Sequence, residues 1–261
     1  LVEDGIVSEQ FVKEGQTQFR SAMQSAFEAI RNKDAKGEKF VCPDSLKPAM
    51  HYVQAELDEM IKPAKTGVVE STLLELGSEA TTFPDSFTPH PKLKRLIDTR
   101  HKMLVEEKKV DWPFAELLAF ATLATQGHPV RLTGQDSQRG TFSSRHVILR
   151  DYKTGEPFHT LDNLAKDQAA ISVVNSPLSE QGCLGFEFGY SVAEPQALVL
   201  WEAQFGDFCN GGQIIIDQFL AASEAKWKQT SGLVMLLPHG YEGSGPEHSS
   251  ARPERFLQLC G

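Results

Sequence analysis

Residues 169–201 read AAISVVNSPLSEQGCLGFEFGYSVAEPQALVLW, and their pattern decides the fold. Ala169–Val174 is a short apolar run of strand character. The turn Asn175-Ser-Pro-Leu-Ser179 follows, then a helical stretch over Ser179–Val192 and a second apolar strand over Gln196–Trp201. Apolar strands joined through a helix belong to a parallel sheet covered on both faces. Working outward, Pro129–Leu132 reads as a preceding strand, Gly211–Ala225 as a following helix, and Gly232–Pro238 (GLVMLLP) as a third buried strand. Upstream, Asp111 is placed to cap, and Pro113 to open, a strongly apolar helix Phe114–Thr125 closed by Gly127. The prediction is an α/β domain over 111–261 with a doubly wound, mostly parallel sheet.

The rest of the chain has a different texture. Residues 1–65 predict a helical segment. Its first helix spans 8–31, with Val12, Phe19, Met23, Phe27 and Ile30 on one stripe, and a second helix spans 45–65. Residues 66–110 predict an irregular linker, punctuated by Pro84, Pro89 and Pro91, with one basic helix over about 92–108. A chain that starts at Leu1 and stops at Leu-Cys-Gly reads as a piece of something longer, cut short at the C-terminal end of its domain.

The 261 residues carry a net charge of −9, which speaks against binding nucleic acid through its phosphates. With 40% hydrophobic and 23% charged residues, the chain is neither a disordered tail nor a fibre. Cys42, Cys183, Cys209 and Cys260 contain no CxxC pair and read as reduced thiols. No apolar run approaches the ~20 residues that span a bilayer, and LVEDGIVSEQ is too acidic for a signal or transit peptide. The expected setting is therefore a reducing compartment, not secretion.

In parallel sheets ligands gather beyond the C-terminal strand ends. Four polar loops lie there: TGQDSQRGTFSSRH (133–146), NSPLSEQG (175–182), WEAQFGDFCNGG (201–212) and HGYEGSGPEHSSAR (239–252). They hold no phosphate loop, HExxH, CxxC or nucleophile elbow, and the sequence offers no metal-ligand set. Glu180 sits in the first turn of its helix. It serves either the helix dipole alone or a ligand at the sheet edge, where Cys183, Leu184 and Phe186 would desolvate it. His239 and His248 share one glycine-rich loop; they are either surface residues or proton donors and carboxylate ligands. Phe205 and Phe208 either pack into the core or stack on a flat heterocycle. A serine hydrolase built on Ser249 or Ser250 lacks an activating acid and an oxyanion hole. The remaining histidines, His51, His90, His101, His128 and His159, read as surface or capping residues.

Together, LTGQDSQRGTFSSRH, NSPLSEQGCLGFEFGYS, WEAQFGDFCNGGQ and LPHGYEGSGPEHSSARPERFLQL resemble the thiamine diphosphate-dependent decarboxylating component of 2-oxoglutarate dehydrogenase. The likeness covers about residues 83–261, and more distantly it extends to pyruvate and branched-chain 2-oxo acid dehydrogenases and transketolase. It implies that 111–261 form a transketolase-like pyrimidine-binding domain. Glu180, in preference to Glu187, would hydrogen-bond the aminopyrimidine nitrogen of thiamine diphosphate and favour the tautomer that generates the carbanion nucleophile. His248 would bind substrate and move protons during decarboxylation and acyl transfer, with His239 as a neighbour. Phe205 or Phe208 would stack on the pyrimidine, and Gln135 would lie on the cofactor side.

The same resemblance implies a tricarboxylic acid cycle role. The partners would be a second copy of the chain, a lipoyl-bearing dihydrolipoyl succinyltransferase and a small 2-oxo acid, with no nucleic acid and no membrane. The family's Mg²⁺ and diphosphate site uses a GDG…N motif that this sequence lacks, so Mg²⁺ would be held by another part of the protein, and the fragment alone is expected to be inactive. The alternatives are the same domain from another thiamine-dependent decarboxylase, dehydrogenase or carboligase, or a non-catalytic interaction module that keeps the fold.

Overall fold

The computed structural model of the chain describes residue 2, residues 4–34, residue 36, residues 62–240 and residues 245–259. Two units separate, Leu1–Pro48 and Ala49–Gly261. In the first, helix α1 spans Glu9–Asp34, and the Ser8 hydroxyl accepts from the Phe11 amide to cap it. Its stripe residues Phe19, Met23 and Phe27 lie exposed. The helix expected over 45–65 falls outside the described residues except for 62–65, which are not helical. Cys42, His51 and Cys260 also fall outside them.

In the second unit, α2 (Glu70–Ala80), α3 (Pro91–Val105) and α4 (Trp112–Thr125) lead into the sheet. Asp111 caps α4 by accepting from the Phe114 amide, with Pro113 in the first turn. The strands are β1 (Val130–Gly134), the hairpin β2 (Ile148–Arg150) and β3 (Pro157–His159), then β4 (Ile171–Asn175), β5 (Leu198–Glu202) and β6 (Val234–Leu236). Helix α5 (Glu180–Ala193) joins β4 to β5. The main sheet runs in the order β4-β1-β5-β6, parallel throughout, and β2 pairs antiparallel with β3.

Register sorts the two faces of the sheet. Val130 lies level with Ile171 and Leu198, and Leu132 with Val173 and Leu200. These residues pack with Phe114, Leu117, Leu118 and Ala121 of α4 on one side. Trp201 of the alternate face joins Cys183 and Leu184 of α5 on the other. Helices thus cover both faces, as the apolar strands required.

Residues 66–110 differ from the expected linker with a single helix. They contain α2 as well, and Leu76, Ala80, Ile97 and Leu104 are buried. The apolar positions of ESTLLELGSEA lie on one face, and a side chain at Gly77 would collide with Leu104, so α2 and α3 pack tightly. The predicted helix over 211–225 is broken. A 3-10 helix covers Gly206–Gly212, an α turn Gln213–Ile215, a π turn Ile216–Leu220 and α6 Ser223–Trp227. Gly211 and Gly212 are poor helix formers at its start. Among the described residues no helix is long and apolar enough to cross a membrane.

Candidate functional site

The chain leaves β1 for β4 on one side and returns to β5 on the other. The loops beyond β1 and β5 therefore diverge, and the C-terminal ends of these strands are where a sheet of this order places its ligand crevice. Gly134 pairs with Glu202 at its floor, where a side chain at 134 would collide with the Glu202 backbone oxygen. The four loops singled out from the sequence follow β1, β4, β5 and β6, all at this edge.

The loop after β1 is fixed from beneath. The buried Arg145 guanidinium reaches Glu202 (Nη2–Oε1 2.7 Å), Glu116 (Nε–Oε1 2.6 Å) and the Ser137 carbonyl (Nη1–O 2.8 Å). Burial opposes its charge, but these carboxylates outweigh burial and hold its pKa above the ordinary arginine value. Arg100 of α3 adds bonds to the carbonyls of Arg145 and Ser144. Neither arginine was singled out from the sequence, since neither a polar loop nor a basic helix gives a sign of which of its cations is buried.

Ser179 caps α5 by accepting from the Gly182 amide, which sets Glu180 at the first helical position, as the turn NSPLS predicted. Glu180 is half-buried. Its Oε1 lies 3.4 Å from Nε2 of Gln135, and Gly211 faces it so closely that a Cβ there would stand 3.0 Å from Oε2. Glu187, two turns along, is only 1% exposed and fully engaged by Arg131 and Thr133.

A second group forms around His248. Its ring meets Phe205 at 4.7 Å and Phe208 at 5.2 Å between centroids, both edge-on, and Phe142 from the first loop meets Phe205 at 5.5 Å. His239 closes the base of the same loop, its Nδ1 accepting from the Ala251 amide at 3.1 Å. Within the group, Oδ1 of Asp207 and Nδ1 of His248 are buried without a hydrogen-bond partner among the described residues, Nδ1 standing 3.4 Å from Glu247 Oε1. The structure therefore brings Gln135 to Glu180, and both phenylalanines to His248. The Gly206–Gly212 turn links the two groups, with Phe205 and Phe208 at one end and Gly211 at the other. Phe142, Asp207 and Gly211 were not picked out from the sequence; the FGDF run, an acid between two rings, carried the one usable signal.

The other candidates play structural parts. His90 caps α3, accepting from the Lys92 amide, and His101 contacts the Thr81 hydroxyl at 2.9 Å. Cys183 and Cys209 are free and buried, and burial pushes the Cys209 thiol up, away from a reactive thiolate. Among the described residues no three His, Cys, Asp or Glu side chains gather to hold a metal ion.

Comparison with known proteins matches residues 108–261 to the family described as "Transketolase, pyrimidine binding domain". The 2-oxoglutarate dehydrogenase E1 component of Geobacillus kaustophilus (strain HTA426) is 47% identical over 261 residues, 100% of this chain and 26% of that protein. The protein of the same name from Geobacillus sp. (strain WCH70) is 47% identical over 260 residues, and that of Brucella canis 45% over 260, with the same coverage of both chains. The chain thus spans about a quarter of the length of these curated relatives.

Proposed function

Because the chain belongs to the family of transketolase pyrimidine-binding domains, we propose that it binds the aminopyrimidine half of thiamine diphosphate and works as part of a 2-oxoglutarate dehydrogenase decarboxylating component. The observation that carries this reading is the setting of Glu180: a half-buried carboxylate at the crevice edge, with one long contact to Gln135 and a facing glycine. That setting fits the group. Gly211 adds no side chain of its own beside the carboxylate, and a ring nitrogen would find an acid with hydrogen-bonding capacity to spare.

Glu180 shares a proton with the ring nitrogen, a task that suits a partly desolvated carboxyl. Gln135 orients that carboxyl. Phe205 and Phe208 supply an aromatic wall, offering a face or an edge to the pyrimidine. His248, held against that wall, binds the 2-oxo acid and moves protons during decarboxylation and acyl transfer, with His239 keeping its loop closed. When bound, the cofactor supplies the carbon nucleophile and the electron sink for decarboxylation. Mg²⁺ and the diphosphate would be held by the part of the intact protein that lies outside this chain, contributed by the second subunit of a homodimer. The acyl group would pass to a lipoyl-bearing dihydrolipoyl succinyltransferase in the tricarboxylic acid cycle, in bacterial cytoplasm or the mitochondrial matrix.

The test uses the intact protein that contains this chain. With 2-oxoglutarate, thiamine diphosphate and Mg²⁺ it should reduce an artificial electron acceptor. Glu180→Gln should lose most of that rate while unfolding at the wild-type temperature. Wild-type turnover in that variant would remove Glu180 from the mechanism.

A further inference from the structure

Asp207 lies between the two phenylalanines that frame His248. Its Oδ2 accepts from the Ser250 amide at 3.2 Å, two residues beyond that histidine. The loop carrying His248 is closed at its base by two bonds, Gly240 N–H to the Ser249 carbonyl at 2.8 Å and Ala251 N–H to His239 Nδ1 at 3.1 Å. Among the described residues, two hydrogen bonds moor it to the Gly206–Gly212 turn. The Gly206 amide donates to the Pro238 carbonyl at the entry of the loop at 2.9 Å, and Asp207 grips the exit. Gly206 permits this approach, because a Cβ there would stand 2.7 Å from the Pro238 oxygen and collide with Ala251.

Of the two bonds to the Gly206–Gly212 turn just named, that of Asp207 comes from a side chain, and it acts on the turn that follows the imidazole. We propose that Asp207 is a positioning residue: by gripping Ser250 it holds His248 edge-on against Phe205 and Phe208, at the end of the turn whose far end abuts Glu180. This rests on the reading of His248 given above. It extends that reading by naming the group that fixes where the imidazole stands relative to Glu180.

The test again uses the intact protein and reads two things. Hydrogen exchange resolved to single amides should show Ser250 protected in the wild type. That protection should be lost in Asp207→Ala and largely kept in Asp207→Asn, whose amide oxygen still accepts the bond, while β1 and β5 exchange alike in all three. Turnover of 2-oxoglutarate should fall about 10–100-fold in Asp207→Ala, the scale of an ångström-sized misplacement, and recover in Asp207→Asn. In a His248→Ala background, Asp207→Ala should add nothing further. A Ser250 amide that exchanges freely in the wild type, or an Asp207→Ala loss that adds in full to that of His248→Ala, overturns the proposal. Wild-type turnover in His248→Ala alone would instead overturn the role given to His248, and Ser250 exchange would still decide whether Asp207 grips the loop.

Discussion

Glu187 and Arg131 form a two-pronged ion pair across the face of the sheet, Oε2 to Nε at 2.8 Å and Oε1 to Nη2 at 2.9 Å. The Thr133 hydroxyl adds a third bond to the same carboxylate at 2.8 Å. The guanidinium also lies over the rings of Phe186 and Tyr190, and its bond to Glu187 raises its pKa against the effect of burial. Two acids of one helix are thereby told apart. Glu187 is buried with its acceptors taken, whereas Glu180, seven residues earlier, stands at the crevice with capacity to spare.

That pair anchors α5 to β1, so breaking it should loosen the element that carries Glu180. Glu187→Ala leaves the Arg131 charge and the Thr133 hydroxyl without their partner. Removing one member of a buried pair typically costs about 3–5 kcal/mol. Arg131 keeps some access to water, which places the expected loss at the lower end of that range. Urea unfolding of the two proteins side by side measures it, and an unchanged midpoint would show that the pair does not secure the helix.

Gly211 gives a contrasting case. It is exposed, its backbone lies outside the left-handed region, and the nearest atom to an added methyl is the movable end of Glu180. Gly211→Ala should therefore leave the melting temperature within a few degrees of wild type. The methyl would still push the Glu180 carboxylate out of its place beside Gln135. Cofactor-dependent turnover should drop about 10–100-fold. Equal losses of stability and activity would mean that the glycine serves the fold alone.

The sheet was legible in the sequence because burial on both faces leaves continuous apolar runs such as ALVLW, and those runs became β1, β4, β5 and β6. The cap Asp111 was legible because an acid stands just before Trp112-Pro113 at the helix start, whereas Ser179 was read as the first helical residue and is the cap. Helix α2 was missed because the prolines after residue 83 dominate that region, while the stripe of Leu73, Leu76 and Ala80 is short. The β2–β3 hairpin was missed although its turn, DYKTG, carries an acid and a glycine, and Gly155 adopts φ +78° there. At the site, the sequence marked Glu180, Phe205, Phe208 and His248 by residue type. Asp207, Gly211 and Arg145 act through what they touch across the fold, and no local pattern records such contacts.

Asp151 provides a pH signature. Its Oδ1 accepts from the amides of Lys153 and Thr154, each at 2.8 Å, forming the hairpin turn, while Oδ2 accepts from the Thr88 amide and moors the segment before α3. The Tyr152 amide returns a bond to the Thr88 carbonyl at 2.8 Å. The Thr88 amide first, then those of the turn, hold this carboxyl down to about 2. In the unfolded chain it titrates near ~3.9. A group whose pKa is lower when folded stabilises the fold fully above the unfolded value, and that contribution fades as pH falls from about 4 towards 2. Asp151→Asn keeps one acceptor but loses the charge, so it should melt below wild type at pH 7, with the gap narrowing through this window. Melting curves of both proteins between pH 7 and pH 3 measure the difference. A gap that stayed constant, or widened on acidification, would show that the charge of Asp151 is not what fastens the hairpin turn to Thr88.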